Sequence, residues 1–422
     1  MSIRQGYKIT EIGELPEEWE IVRLCNERYF SILSSGIDYF ADTKDYLSTK
    51  SIEHDGIVGV ECEITFDKRP SRANMQPLLN SVWFAKMKNT VKIYCFTDSN
   101  QDETKKFILS TGFCGILCKE GIGPNYLKQI FLWDYFNRTK NKLASGSTQQ
   151  AVNNEGVQSI LIPLPPPSEQ RKIVSILSTI DEAIQKTDEV IAKAEELKRG
   201  LMQRLLTRGI GHTQFKQTEI GEIPEEWEVS RLEDVLLLCQ YGLSVPLFET
   251  GTRPIFRMNN FENGYVIPND IKYASIDDAT FNQFKLNKGD ILFNRTNSYD
   301  LVGKVGIFLI DGDYTFASYL IRLRTDPSKA DPFFVNYYMN VESSQNRLRS
   351  LATRGSSQSN INATNLKSIL ILLPSLPEQH KIASMISSVD EKLAQERKRK
   401  EQLEDLKKGL MQVLLTGKVR VA

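Results

Sequence analysis

Three short segments of the chain concentrate arginine and amide side chains, the groups best suited to hydrogen-bond the edges of DNA bases. Each segment follows a run of residues that predicts a β-strand, so we expect each to form a surface loop. The candidate residues are Lys68, Arg69, Arg72, Asn74 and Gln76 in the first segment, Arg257, Asn259 and Asn260 in the second, and Arg295, Asn297, Ser298 and Tyr299 in the third. Ordinary polar loops have the same composition, so both interpretations remain open.

Two loops rich in glycine and serine, GSTQQAVN and GSSQSNIN, add further candidates. Serine and glutamine side chains there can face DNA, and neighbouring cations can neutralise phosphates. The residues are Gln149, Arg354 and Gln358, together with the cations Lys140, Lys142 and Arg349. Serine and asparagine also cap helix ends, which is the structural alternative for these loops.

The sequence lacks the motifs that a DNA-modifying enzyme requires. It has no G-x-x-x-x-G-K-[ST] loop for a nucleoside triphosphate. It also has no glycine-rich methyl-donor loop and no Asn-Pro-Pro-aromatic pocket for a flipped adenine. The six cysteines and three histidines do not have zinc-site spacing. Carboxylates near strands, such as Asp290 and Glu262, leave a metal-dependent nuclease as an alternative, but we expect no catalytic residue, metal or cofactor in this chain.

Composition limits how the chain can bind DNA. Its 53 basic residues are balanced by 53 acidic residues, whereas DNA-binding proteins usually have a basic excess. Phosphate contacts must therefore be local or shared with a partner, and we expect weak DNA binding by the chain alone. No apolar run approaches the roughly 20 residues that span a bilayer, and the N-terminus has no signal-peptide pattern. These features predict a cytoplasmic protein.

The chain contains one sequence unit written twice. TEIGELPEEWEIVRL (residues 10–24) returns as TEIGEIPEEWEVSRL (residues 218–232), and KRGLMQRLLTRG (198–209) returns as KKGLMQVLLTGK (407–418). Between these ends, residues 25–143 and 233–352 resemble each other poorly. A protein that recognises two different targets would keep the repeated end segments, which we call the frame, and would vary the residues between them that contact the targets. Drift after duplication is the alternative explanation.

Two long helices are predicted at the ends of the repeats. Residues 168–206 follow three prolines and carry apolar residues at spacings of four and three, the heptad pattern of a coiled coil. The second copy, from Ser375, has Glu378 at capping-box spacing and a similar apolar seam. Its charged run at 395–402 is either a basic strip facing DNA or a solvated helix face. A 40-residue helix is about 60 Å long, so the pair would form a spacer between two variable domains that read a split site.

The variable domains mix strands and helices, which predicts the α+β class. In the first domain we predict strands at 57–66, 81–86 and 90–96, and helices at 102–110 and 124–137. In the second domain we predict strands at 254–258, 289–293, 304–310 and 315–324, and a helix at 331–340.

The repeated motifs resemble those of the type I restriction-modification specificity subunit family, HsdS. The resemblance covers nearly the full chain and rests on IGE-x-P-E-x-W, GSxQ, P-x-x-EQ-x-K-I and GLMQ-x-LLT, together with GDILFNRT and LVGKVG in the second half. The first domain lacks a GDILF-like segment, so its contact loops are placed less securely.

The resemblance implies two globular target recognition domains of mixed α/β structure, with two long helices that pair as an antiparallel coiled coil and an internal pseudo-two-fold repeat. We expect the first target recognition domain at 1–162, the first long spacer helix at 163–210, the second target recognition domain at 211–372 and the second long spacer helix at 373–422. Double-stranded DNA and two methyltransferase subunits are the expected partners, with two restriction subunits as optional partners and no membrane. S-adenosylmethionine, ATP and Mg are expected only in partner subunits. A coiled-coil protein adaptor that binds no DNA is the alternative function.

Overall fold

The computed structural model describes residues 4–147, 150–354 (backbone only at Arg354) and 358–421. Packing divides the chain into two units, Met1–Asp188 with Lys398–Ala422 (unit 1) and Glu189–Arg397 (unit 2). Each long helix therefore contributes one part to each unit, whereas the sequence-based boundaries set the helices apart. Within the described ranges, no helix is both long and apolar enough to cross a membrane.

Unit 1 contains fourteen short strands and four helices before the first long helix, counted over its described residues. The strands are β1 Tyr7–Thr10, β2 Gly13–Pro16, β3 Glu20–Arg23, β4 Phe30–Ile32, β5 Lys44–Leu47, β6 Ile52–Glu53, β7 Gly56–Ile57, β8 Cys62–Ile64, β9 Ala73–Met75, β10 Ser81–Ala85, β11 Ile93–Phe96, β12 Phe107–Ser110, β13 Phe113–Cys118 and β14 Leu161–Leu164. The helices are α1 Glu103–Lys106, α2 Pro124–Leu132, α3 Asp134–Leu143 and α4 Asn154–Ser159, followed by the long helix α5 Pro167–Arg208.

Two four-stranded sheets form the centre of unit 1, in the orders β11-β10-β13-β4 and β8-β5-β12-β9. All five residues of β10 are buried because both faces of this strand are covered. Phe84 packs against Phe131 and Phe136 of the α2–α3 layer, at ring-centroid distances of 4.9 and 5.1 Å. Trp83 points to the opposite face, where Gly115 leaves room for its ring because a Cβ there would lie 2.6 Å from the indole.

Three sequence predictions for unit 1 were wrong in detail. The predicted helix at 102–110 is helical only at Glu103–Lys106 and continues as β12, because Phe107–Ser110 is a fully buried strand between β5 and β9. The predicted strand at 57–66 is reduced to Gly56–Ile57 and Cys62–Ile64. The predicted helix at 124–137 breaks at Trp133, which has an extended backbone.

Unit 2 contains seventeen strands in its described residues. They are β15 Phe215–Thr218, β16 Gly221–Pro224, β17 Glu228–Arg231, β18 Leu236–Tyr241, β19 Leu247–Phe248, β20 Arg253–Phe256, β21 Phe261–Glu262, β22 Tyr265–Val266, β23 Lys272–Ala274, β24 Ile291–Asn294, β25 Thr296–Asn297, β26 Val305–Ile307, β27 Thr315–Phe316, β28 Leu320–Thr325, β29 Thr353–Arg354, β30 Ser359–Asn360 and β31 Leu370–Leu373. The helices are α6 Asp278–Phe284, α7 Pro332–Asn340, α8 Glu342–Ser350, α9 Ala363–Lys367 and the long helix α10 Leu376–Leu414.

A six-stranded sheet, β18-β28-β24-β26-β22-β21, forms the core of unit 2. The strands Ile291–Asn294 and Leu320–Thr325 lie in its middle and are buried at every position except Arg324. Helix α7 covers the sheet with six consecutive buried residues. The predicted α+β class, with two mixed domains and two long helices, is confirmed.

The two long helices run antiparallel within each unit. In unit 1, Asp181 of α5 bonds Lys407 of α10 at 2.6 Å, and Asp188 bonds Lys400 at 2.6 Å. In unit 2, Lys198 of α5 bonds Asp390 of α10 at 2.6 Å. Residue numbers rise along one helix as they fall along the other, which defines the direction of pairing. The charged run at 395–402 thus includes Lys400, a cation that faces the partner helix.

A glutamate in the first turn of each long helix anchors a tryptophan from the repeated segment at residues 10–24 or 218–232, which we call the lead-in segment. In unit 1, the Trp19 indole donates to Glu169 at 2.9 Å. In unit 2, the Trp227 indole donates to Glu378 at 3.0 Å. We call these two contacts the Glu–Trp pairs. Both indole rings are fully buried, and the carboxylates also benefit from the positive end of the helix dipole.

Each Glu–Trp pair has a second, cationic or polar partner. In unit 1, Arg420 donates to both carboxylate oxygens of Glu169, at 2.8 and 3.1 Å. In unit 2, Glu378 contacts the His212 ring nitrogen and accepts from the Ile210 backbone, both at 2.9 Å. In unit 1, the start of α5 therefore binds Trp19 and Arg420, which lie in widely separated parts of the sequence. In unit 2, the start of α10 binds Ile210 and Trp227, which lie in the one segment that follows α5.

We predict that Glu169→Ala destabilises unit 1 by about 3 kcal/mol, because it leaves the buried Trp19 indole N–H without its acceptor and removes two of the hydrogen bonds of the Arg420 guanidinium. Equilibrium urea unfolding of the full chain measures this loss. Glu18→Ala is the matched control, since Glu18 contacts the same Arg420 but is 70% exposed, and it should cost less than about 1 kcal/mol. Equal losses in both variants would contradict the anchoring role of Glu169.

Candidate nucleic-acid interface

Strand pairing in unit 2 brings two of the predicted clusters together. Strand β25 pairs with β30, and β30 pairs with β29, so the segment 294–300 lies against the ends of the second Gly-Ser loop. Asn297 pairs with Ser359 in this small sheet. Gln358, the residue before it, is exposed. Residues 355–357 and the side chain of Arg354 lie outside the described parts of the structure.

Arg295 supports this surface from below. Its guanidinium donates to the Ser318 carbonyl and to the Asn360 side chain, both at 3.2 Å. The same guanidinium stacks over the Tyr241 ring at 4.9 Å. Arg295 is only half-buried, so it combines structural contacts with access from solvent.

Asn297, Ser298 and Tyr299 form the outer part of the segment. The Asn297 side chain accepts a hydrogen bond from the Ser298 backbone at 2.8 Å, which fixes the turn. Ser298 is exposed, and Tyr299 is 40% exposed. These side chains present hydroxyl and amide groups of the kinds that contact bases and phosphates.

Two exposed tyrosines on this surface were missed by the sequence analysis. Tyr241 and Tyr319 are each 43% exposed. Tyr241 stacks with Arg295, and the Tyr319 carbonyl accepts from the Arg295 backbone at 3.0 Å. They lie far from Arg295 in sequence, so only strand pairing reveals that they share one surface.

The segment 257–260 adjoins the same surface, since the Asn294 side chain donates to the Met258 carbonyl at 3.1 Å. Arg257 is paired with Asp270 at 2.6 Å, and this hydrogen bond lowers the pKa of the Asp270 carboxyl below its ordinary value. Asn259 is exposed. The interpretation of Asn260 as a contact residue does not fit the structure, because Asn260 is fully buried and bonded to the Arg257 and Asn269 backbones.

In unit 1, the predicted loop divides into outward and inward side chains. Lys68 and Arg72 are exposed. Arg69 instead folds onto the Phe66 ring at 4.6 Å and donates to the Phe66 carbonyl. Asn74 is half-buried within β9, and Gln76 turns towards the Thr104 carbonyl at 3.4 Å. Gln149 lies outside the described residues.

An exposed aromatic residue accompanies this loop. Tyr39 is 75% exposed and packs edge-on against Phe66, with ring centroids 5.2 Å apart. Lys68, Arg72 and Tyr39 are therefore the solvent-facing groups around the loop that are suited to contact nucleic acid. Tyr39 was not a sequence candidate because no arginine or amide side chain lies near it in the sequence.

The buried carboxylate Asp290 has a structural explanation. It is 1% exposed and accepts two hydrogen bonds from Arg324, at 2.7 and 2.8 Å. Over the described residues, no group of three or more His, Cys, Asp and Glu side chains is arranged to hold a metal ion. Asp290 thus stabilises the sheet by neutralising Arg324, a neighbour on β28.

Lys140 was wrongly assigned to phosphate neutralisation. It is 1% exposed, and its ammonium donates to the Ala85 carbonyl at 3.2 Å and to the Thr90 carbonyl. Burial lowers its pKa to about 8. Lys140 therefore ties α3 to the β10–β11 turn. Lys142 is exposed, and Arg349 is half-buried and bonded to Asn346.

We compare the free energy of unfolding of wild-type protein with that of Lys140→Met. We predict that this difference shifts in favour of wild type by about 2 kcal/mol as the pH rises from 7 to 10. The folded pKa of about 8 lies below the ordinary value of 10.5. The unfolded chain thus binds more protons in this window, and the penalty for burying the charge disappears as the pH rises. Urea unfolding across this range measures the difference. The exposed Lys142→Met should show no such trend, and parallel profiles for Lys140→Met and wild type would contradict the prediction.

Comparisons with known proteins agree with this architecture. The sequence matches the family described as the type I restriction modification DNA specificity domain over residues 97–196 and 224–405. It is 29% identical to the putative type I restriction enzyme MjaX specificity subunit of Methanocaldococcus jannaschii, over 99% of this chain and 97% of that protein. It is also 29% identical to the MjaVIII specificity subunit of the same organism, over 99% and 98%.

Solved structures show the same fold. A chain from a structural study of complex assembly in the type I R-M system matches with a TM-score of 0.60 and 21% identity, over 96% of this chain and 99% of that chain. The S subunit of a type I restriction-modification system from M. genitalium matches with a TM-score of 0.58 and 14% identity, over 98% of both chains. The family match covers more than half of the chain and includes parts of both repeats. The chain therefore belongs to the family of the type I restriction modification DNA specificity domain.

Proposed function

We propose that the chain is the DNA sequence-specificity subunit of a type I restriction-modification enzyme, in which each unit reads one half of a split DNA site. One observation carries the proposal: the two units share a frame but carry different surfaces on it. The Glu–Trp pair and the Asp–Lys pair between the long helices occur in both units. The sheets, the exposed loops and their polar residues differ.

The reading surfaces follow from exposure and side-chain chemistry. In unit 2, we assign DNA contact to Asn297, Ser298 and Tyr299, with Gln358 beside them. In unit 1, we assign it to Lys68 and Arg72, with Tyr39. Amide and guanidinium groups discriminate bases in the major groove, and hydroxyl and ammonium groups position the phosphate backbone. A split target requires only that each unit hold such a surface.

The proposal makes this chain a non-catalytic subunit. Two methyltransferase subunits are its proposed partners, joined by two restriction subunits in an assembly that cleaves DNA. S-adenosylmethionine, ATP and Mg²⁺ would belong to those partners. Zero net charge supports this division, because a basic partner can supply phosphate contacts that this chain lacks. An adaptor that binds no DNA would not need two different exposed polar surfaces on one repeated frame.

Deleting the gene should abolish N6-methyladenine at one split motif in the genome, with methylation elsewhere unchanged. Methylome sequencing of deleted and complemented cells measures this and also supplies the two half-site sequences. The methyltransferase gene must remain expressed in both strains. An unchanged methylome under those conditions would reject the specificity function and favour the protein adaptor.

We further predict that Asn297→Ala and Arg72→Ala each relax base preference in one half-site only, and in different halves. Loss of one good base contact costs about 1–3 kcal/mol of discrimination, so methylation should spread to sites with a substitution at one position. Methylome sequencing of complemented cells reads this directly. Lys288→Ala, an exposed lysine outside both surfaces, is the control and should leave the motif unchanged. Relaxation of the same half-site by both variants would contradict the assignment of one half-site to each unit.

A further inference from the structure

A buried hydrogen-bond network joins the sheet domain of unit 2 to both long helices. Asp390 on α10 accepts from the hydroxyls of Tyr265 and Tyr337, each at 2.9 Å, through one carboxylate oxygen. Its other oxygen bonds Lys198 of α5 at 2.6 Å. The two tyrosine hydroxyls lie 2.9 Å apart, and Ser387 of α10 lies 3.0 Å from the Tyr337 hydroxyl. We call these five residues the tyrosine network.

The tyrosine network contains an ion pair that is largely shielded from solvent, and its hydrogen bonds depend on the orientation of the side chains. The side chains of Lys198 and Asp390 are only 15% and 11% exposed. Burial is the main reason that the pKa values of Tyr265 and Tyr337 are raised above their ordinary value, so both hydroxyls remain protonated donors at neutral pH. Hydrogen bonds of this kind restrict orientation, whereas apolar side chains alone allow neighbouring surfaces to slide.

The tyrosines are fixed to the sheet domain on their other side. Tyr265 lies in β22 and pairs with Ile307 of the central sheet. Tyr337 lies in α7 and is almost fully buried. The Asn336 side chain, next to Tyr337, donates to the Gly264 carbonyl at 3.0 Å and so joins α7 to the β21–β22 turn. The tyrosine network therefore connects a well-braced domain to both helices of the pair.

Unit 1 repeats the ion pair but not the tyrosines. Asp181 and Lys407 stand 209 residues before Asp390 and after Lys198, respectively, and they bond at 2.6 Å. The side chain that donates to Asp181 from the domain is Gln129, at the longer distance of 3.4 Å. The same place in unit 1 borders a groove of about 1250 Å³, lined in part by His54 and Trp133.

We propose that the tyrosine network positions the second recognition domain on the helix pair and so sets how strictly the enzyme discriminates the distance between its two half-sites. This inference rests on the proposed function, because it concerns the geometry of a split site. The residues of the network are positioning residues, because they join the domain to the long helices. The proposed DNA-reading surface of unit 2 is built from other residues. Loosening the network should therefore change the tolerated spacing while base preference stays the same.

The test uses the full chain with its methyltransferase partner in cells that carry a plasmid library. The library places the two half-sites at the native spacing and at one base pair more or less. Tyr265→Phe, Tyr337→Phe and the double variant each remove hydroxyls without removing rings. We expect methylation at the non-native spacings, relative to the native one, to rise about fivefold for each single variant, the factor that one hydrogen bond typically contributes.

Tyr338→Phe is the matched control, because Tyr338 is a buried neighbour on α7 whose hydroxyl accepts from Arg347 outside the network. It should keep the wild-type spacing preference at a comparable melting temperature. Tyr265→Phe is the mildest variant because it retains the Tyr337–Asp390 hydrogen bond. Its spacing preference can therefore still be measured if the double variant does not fold.

An unchanged spacing preference in folded Tyr265→Phe and Tyr337→Phe would overturn the inference. So would an altered half-site sequence, or equal loss of methylation at every spacing, since a positioning role predicts redistribution among spacings. Failure of the proposed function is distinguishable, because wild-type protein would then give no methylation at any spacing in the library.

Discussion

A carboxylate in the first turn of each long helix, hydrogen-bonded to a buried tryptophan and largely shielded from solvent, is the constraint on which the rest of the structure depends. Glu169 and Glu378 each accept the indole N–H of a buried tryptophan, which is the apolar centre of the repeated lead-in segment. A buried charge is tolerated only where every oxygen has a donor. The frame residues therefore cannot vary independently, and their retention in both halves has a physical reason.

The same constraint explains two glycines at the ends of the long helices. Gly209 and Gly417 adopt φ angles of 64° and 62°, in the left-handed region. A Cβ at Gly209 would lie 2.5 Å from Glu378, and a Cβ at Gly417 would lie 2.5 Å from Pro16. The end of α5 thus closely approaches the start of α10 at Gly209, and the segment after α10 closely approaches β2 at Gly417. Both approaches combine a left-handed backbone with a lack of space for a Cβ, which only glycine permits. Helix pairing and domain packing meet at these two points.

Sequence patterns predicted the parts of the fold that depend on period and repetition. The helix predicted at 168–206 spans Pro167–Arg208, and that from Ser375 begins at Leu376, because a seam at heptad spacing continues over many turns. The capping-box spacing of Ser375 and Glu378 was misleading, since tertiary contacts with Trp227 and His212 engage the carboxylate. Short elements also failed where burial overrides local propensity, as in the strand Phe107–Ser110.

The candidate surface was predictable by composition but not by side-chain direction. Arg and Asn clusters identified loops that carry exposed polar side chains, yet Asn260 and Lys140 turn inward because buried backbone groups need their hydrogen bonds. Direction is decided by partners that are distant in sequence, and no local pattern records them. The same limit hides Tyr241 and Tyr319, which reach Arg295 only through strand pairing.

This separation between frame and surface bears on how such a protein changes its target. Substitutions among exposed side chains such as Ser298 and Lys68 alter no buried hydrogen bond, so they cost little stability. Substitutions at the Glu–Trp pairs or at Asp390 leave charges or donors unsatisfied in the interior. The buried residues therefore fix where each exposed loop surface is held, while the side chains on the loops remain free to change. Under the proposed function, a duplicated frame needs only two divergent sets of loops to recognise an asymmetric split site.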